Sequence, residues 1–169
     1  MRSLKQQLEE FSHQFTPALI TTAIVLITVI PLRIPGIKEI MPNLAFINIY
    51  YWGVFYPGTL PYGFLFALGI LQDSLTGNPL GMSSFINMVF AFMLGARKRV
   101  FGQALFGSLW TGFAVLSLAA FALQWAVLSI YYGRLLPVEA HGIQWCSTAL
   151  AYPLMHLLLT RLYHRMQIQ

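Results

Sequence analysis

Few side chains in this sequence could carry chemistry, and they are scattered. Asp73 is the only aspartate, set in "LGILQDSLTGNPLG" (residues 68–81), a stretch that otherwise reads as membrane-embedded. Taking an ionisable group out of water is costly, so one in such a place usually has a task. The carboxylate is a candidate proton or substrate site, a catalytic group, or a structural group at the end of a helix. Paired acid–base catalysis or a two-metal centre needs a second acid nearby. Glu9, Glu10, Glu39 and Glu139 all fall in expected loops or at the surface. His13, His141, His156 and His164 share no metal-binding spacing, and His156 and His164 are two helical turns apart, too far to share one zinc. Ser83 and Ser84, in "GMSSF", do not form a nucleophile elbow. No phosphate-cradling Gly-Lys-Ser/Thr loop occurs. The expectation is no catalytic residue, no metal site and no cofactor.

Composition sets the class. The chain is 57% hydrophobic and only 9% charged, whereas soluble domains are about a quarter charged. Such a chain cannot cover a water-facing surface, and it reads as an all-α integral membrane protein small enough to be one domain. The first fifteen residues are polar and no small-residue cleavage site follows, so no cleavable signal peptide is expected. The one cysteine, Cys146, can form no intrachain disulfide. The net charge of +5 reads as loop charge that sets topology, with no nucleic-acid partner.

Apolar runs supply the elements. In "MRSLKQQLEEFSHQF", Leu4, Leu8, Phe11 and Phe15 recur at helical spacing among polar residues, predicting an amphipathic lead-in helix over 1–16. Arg2 and Lys5 would help it lie on a lipid surface. Six apolar runs follow, at 18–32, 42–56, 60–75, 80–96, 102–131 and 142–162. A crossing takes about 20 residues, so the second and third runs are short and the fifth must tilt or protrude. The expected organisation is a lead-in helix, a six-helix transmembrane domain over 17–163, and a short cytoplasmic tail at 164–169.

Charge distribution orients these spans. With both termini cytoplasmic, the inside carries Arg2, Lys5, Arg97, Lys98, Arg99, Arg161 and Arg165, and the outside only Arg33, Lys38 and Arg134. This follows the positive-inside rule. The basic patch Arg97, Lys98 and Arg99 suits lipid headgroups or a cytoplasmic protein. Asp73 then falls at the outer end of the third span, before the turn formers Thr76, Gly77, Asn78 and Pro79. There it could cap backbone N–H groups of the turn or of the fourth helix, which Pro79 could open.

Three further features have structural readings. His156 and Pro153 lie in the sixth run, where a histidine commonly hydrogen-bonds across helices. The cluster Tyr50, Tyr51, Trp52, Phe55 and Tyr56 could line a ligand pocket, but packing is the reading preferred. Gly63 with Ala67, and Ser108 with Gly112, are small-residue pairs that permit close helix approach.

The stretch from residue 42 to 81, "PNLAFINIYYWGVFYP" and then "PYGFLFALGILQDSLTGNPLG", resembles the rod shape-determining protein MreD family. The matching positions are Pro42, Tyr51, Trp52, Pro57, Gly69, Asp73, Gly77, Pro79, Leu80 and Gly81. The resemblance implies a multi-pass subunit of the bacterial inner membrane, in the complex that inserts peptidoglycan along the side wall of rod-shaped cells. It implies a bitopic MreC-like partner, and proximity to an MreB-like filament, a RodA-type glycosyltransferase and a class B penicillin-binding transpeptidase. It assigns no catalytic activity. The fold it implies resembles the substrate-binding subunits of energy-coupling-factor transporters.

On that basis Asp73, Gly69, Gly77, Pro79, Gly81, Tyr51 and Trp52 are the candidate structural or partner-interface residues. The leading expectation is a non-catalytic scaffold of cell elongation. The alternative is a small-molecule-binding subunit of a transporter, using Asp73 and the Tyr50–Trp52 aromatics. A flippase or lipid-precursor enzyme ranks third, since no cationic group within the spans could meet a pyrophosphate.

Overall fold

The computed structural model describes residues 16–27, 41–95 and 105–167. These form α1 (Thr16–Ile27), α2 (Leu44–Phe55), α3 (Tyr62–Thr76), α4 (Met82–Gly95), α5 (Phe106–Tyr132) and α6 (Val138–Gln167), with no strand among the described residues. Residues 1–15 of the expected lead-in helix and the basic patch at 97–99 lie outside the described residues.

α2 is the axis of the bundle. Every residue from Ala45 to Trp52 is buried, as expected of a helix apolar on all sides. It begins where Asn43 accepts a hydrogen bond from Phe46 N (3.4 Å), while Asn43 N donates to Thr148 Oγ1 of α6 (2.9 Å). That pair satisfies one orphan donor of the helix and ties its start to a neighbour. Around α2, Phe46 stacks on Phe90 of α4 and meets Phe121 of α5 edge-on, and Tyr50 meets Phe113 and Tyr152 edge-on. α1 closes another side, with Val25 against Ala45 and Leu68, and Ile20 and Ile24 against the Tyr51–Trp52 end.

α5 and α6 form the long pair, with 27 and 30 residues. Among the described residues only α5 is both long and apolar enough to cross a membrane, at mean hydropathy 2.0. Pro153 interrupts α6. A proline offers no N–H to the carbonyl four residues back, here that of Ala149. Trp110 Nε1 of α5 donates to that carbonyl (2.9 Å), so the gap in α6 becomes a bond between helices. Trp145 Nε1 and Trp125 Nε1 likewise donate to the carbonyls of Ala114 and Leu136.

Several expectations change. α6 begins at Val138, so Glu139 sits in its first turn, beside the positive end of the helix dipole, and is not a loop residue. α4 begins at Met82, so Pro79 belongs to the turn and does not open the helix. Gly63 has open space where a Cβ would stand and Ala67 is exposed, so that small-residue pair is not where helices meet most closely. The outer surface of the bundle is apolar: Leu19, Phe92, Val115, Leu150 and Leu154 are 63% to 72% exposed. In water such a surface would drive aggregation, whereas against lipid it costs nothing.

Candidate functional site

The candidate residues fall into two groups. The first is the α3–α4 hairpin. α3 ends at Gly77, whose left-handed backbone (φ 72°) lets its N–H reach the Asp73 carbonyl at 2.9 Å. This is an αL helix stop, which glycine enters without the Cβ penalty. The chain turns through Asn78, Pro79 and Leu80, and Gly81 (φ 92°) turns it into α4.

The first N–H groups of a helix have no partner within it. In α4 the N–H of Ser83 donates to both Asp73 carboxylate oxygens, at 3.1 Å each. Asp73 is 1% exposed and makes no ion pair among the described residues. Its charge faces the positive end of the α4 dipole, which favours an anion there. The carboxylate thus acts as an N-cap supplied by the preceding helix.

Further down, α3 and α4 come into their closest approach. A Cβ at Gly69 would overlap the backbone N and Cα of Ser84. Only glycine permits that distance. Ser84, itself 1% exposed, donates from Oγ to the Phe66 carbonyl (2.8 Å). Asn87 Nδ2 donates to Gln72 Oε1 (2.9 Å). Phe66, Gly69, Gln72 and Asp73 recur at three- and four-residue spacing, so one seam of α3 carries these polar and close contacts.

The second group is the aromatic layer at the other end of α2. Trp52 (0% exposed) meets Tyr56 and Tyr163 with ring centres at 5.5 and 5.3 Å. Tyr51 shares a 3.2 Å hydrogen bond with Thr160 and packs against Trp52, Phe55 and His156. Tyr50 donates to the Leu109 carbonyl (2.9 Å). Tyr50, Tyr51 and Trp52 therefore pack into helix contacts. His156 does not hydrogen-bond across helices through Nδ1, which has no partner among the described residues. Its ring instead lies among Tyr51, Phe55, Phe106 and Tyr152.

The two groups do not converge. Gly69, Asp73, Gly77, Pro79 and Gly81 build the hairpin, and Tyr51 and Trp52 the aromatic layer. Among the described residues no three His, Cys, Asp or Glu side chains come together to hold a metal. Gln72, Ser84, Asn87 and the Trp110–Ala149 link were missed from sequence. A polar side chain inside an apolar run, as Gln72, Ser84 and Asn87 each are, was the signal available.

A family model described as rod shape-determining protein MreD matches residues 10–166, nearly the whole chain. The chain belongs to the MreD family. No curated protein and no solved structure matches it. Family membership gives the chain a role in rod shape determination, within a family of shape-determining membrane proteins that is not a known enzyme family.

Proposed function

We propose that this MreD-family chain is a non-catalytic scaffold in the complex that synthesises peptidoglycan during cell elongation. It crosses the inner membrane several times with both termini in the cytoplasm, and holds an MreC-like bitopic partner against its helices and outer turns. Arg97, Lys98 and Arg99 then face the cytoplasm, toward anionic lipid and an MreB-like filament, with a RodA-type glycosyltransferase and a class B penicillin-binding transpeptidase nearby. The observation that carries this reading is the family match over residues 10–166. The site chemistry agrees with it. The Asp73 carboxylate caps α4, and the Tyr50–Trp52 aromatics are occupied in packing, so both act as supports of a rigid surface.

A pull-down from native membranes tests the proposal. The tagged chain should bring down a bitopic partner with a large periplasmic domain, and depletion should round the cells. Recovery as a lone monomer, with rods intact after depletion, would sink it. No feature of the site favours the transporter-subunit reading. A stoichiometric small molecule retained in mild detergent and lost in Asp73→Asn would revive it.

A further inference from the structure

Pro153 leaves the Ala149 carbonyl without a donor from its own helix. Within a bilayer no water replaces that donor, so the carbonyl depends on a neighbour. Trp110 of α5 supplies it at 2.9 Å, and its side chain is 38% exposed, at the rim of the bundle and not locked in the core. The two arms of α6 on either side of Pro153 are fastened unequally. In the N-terminal arm, Trp145 Nε1 donates to the Ala114 carbonyl, Thr148 Oγ1 accepts from Asn43 N, and Ala149 accepts from Trp110. Each of these three bonds to α2 or α5 has a backbone group at one end. In the C-terminal arm, over residues 154–163, the one hydrogen bond to another helix among the described residues joins two hydroxyls, Tyr51 and Thr160, at 3.2 Å. Ring contacts hold the rest, with Tyr163 centred 5.3 Å from Trp52 and 4.4 Å from Tyr56.

Hydrogen bonding is also incomplete where α6 breaks. Tyr152 is 0% exposed and its hydroxyl has no partner among the described residues. Nδ1 of His156, one turn on, has none either. Buried polar atoms without partners cost free energy, and hydrocarbon offers no water to relieve them. Both side chains sit on the turn that contains Pro153. A helix fixed in one position would keep that cost, whereas a helix that bends there can bring the two atoms to partners.

We infer that α6 is a hinged helix, with Pro153 as pivot and Trp110 as latch, whose C-terminal arm swings off the aromatic layer when the indole releases Ala149. Sharp bends at prolines exceed about 20°. Over residues 154–162, about 13 Å of helix, a bend of that size moves the far end by about 5 Å. The structure holds the latched arrangement. The hairpin and the N-terminal arm stay in place, and the face of α2 that bears Tyr51 and Trp52 alternates between covered and open. The membrane-spanning reading enters only through the lack of water to compete for the Ala149 carbonyl.

Spin-label distances in the full chain, in phosphatidylcholine nanodiscs, test this. Labels go on Leu162→Cys of α6 paired with Phe92→Cys of α4, and separately with Leu19→Cys of α1, all exposed positions. Both pairs are made in a Cys146→Ser background, because Cys146 is exposed and would otherwise label. Two pairs view the swing from two directions. With Trp110 present, one distance should dominate in each pair. Trp110→Phe keeps a ring but removes the N–H, and should raise the share of a second population several-fold, displaced by up to about 5 Å in at least one pair. Pro153→Ala returns an N–H to the Ala149 carbonyl, so in that background Trp110→Phe should leave the single distance intact. The ring lost is the same in both backgrounds and the orphaned carbonyl is not, which separates a latch from a packing group. Unchanged distances in both pairs of Trp110→Phe overturn the inference. So does a second population that persists with Pro153→Ala. If Trp110→Phe does not fold, adding Pro153→Ala should restore folding, and failure to restore it overturns the inference equally. None of these outcomes involves partner recovery, so the scaffold reading stands or falls separately by the pull-down.

Discussion

The α3–α4 hairpin and the aromatic layer around Trp52 both fasten helices together, but by different physics. In the hairpin one seam carries a carboxylate on a backbone N–H, a serine on a carbonyl, an amide pair and a glycine pressed onto backbone. Each contact depends on one atom in one place. In the layer, rings of Tyr51, Trp52, Tyr56 and Tyr163 share area, and among the described residues only Tyr51 adds a side-chain hydrogen bond to α6. Dispersion over rings is graded with volume, whereas a cap or a close approach is present or lost. The hairpin should therefore answer to geometry and the layer to size.

The largest expected effect lies in the layer. Trp52→Ala should cost about 3–5 kcal/mol, read as the unfolding midpoint in a denaturing-detergent titration. Trp52→Phe keeps a ring and removes an indole N–H that has no partner among the described residues, so its cost should be small, about 1 kcal/mol. If Trp52→Phe is as damaging as Trp52→Ala, the indole N–H has a partner that matters and the layer is not held by area alone.

Next comes the closest approach in the hairpin. Gly69→Ala adds one carbon, yet should cost about 1–3 kcal/mol in the same titration, because what it meets is the backbone of Ser84. Adding Ser84→Gly should not rescue it, since the overlap with N and Cα persists. Rescue would show that the Ser84 side chain was the obstacle and that the backbones can part.

Asp73 follows. Asp73→Leu leaves the Ser83 N–H buried without an acceptor, at about 1–3 kcal/mol. Asp73→Asn retains one acceptor oxygen and should cost less. Equal losses in the two variants would mean that charge facing the α4 dipole, and not the acceptor, holds the hairpin. In either case partner recovery in the pull-down should fall with stability. Loss of the partner from a variant of native stability would place Asp73 in the contact itself.

Legibility from sequence followed the same division. Apolar runs announced the helices, and that at 102–131 lies within a few residues of α5, because run length is a one-dimensional property. The start of α6 was misplaced because hydropathy was read before capping: Glu139 in a first turn is itself a helix-start signal. The turn after Asp73 was readable from Gly77, Asn78 and Pro79. Its acceptor role toward Ser83, ten residues on, depended on how tightly Gly77 and Gly81 fold the chain back. Close approach was least readable of all. Gly63 with Ala67 has the expected spacing but open space around Gly63, whereas Gly69 meets Ser84 through a partner that no pattern within α3 could name. The aromatic layer was conspicuous in sequence because ring-rich segments must bury their area somewhere.

The smallest effect isolates the last polar contact of the seam. Gln72 and Asn87 bond side chain to side chain, so both partners can be replaced. Gln72→Met and Asn87→Leu keep approximate volume, and each alone leaves the other amide without its partner. The double variant removes both polar groups, and replacing both ends of a hydrogen bond is close to neutral when shape is kept. A double-mutant cycle should return a coupling of about 0.6 kcal/mol, the usual size for such bonds between membrane helices. A near-zero coupling would leave the hairpin resting on Gly69, Asp73 and the Ser84 hydroxyl. A coupling well above 1 kcal/mol would show the amide pair acting together with its neighbour Asp73, and the seam would then be one polar network, unlike anything in the aromatic layer.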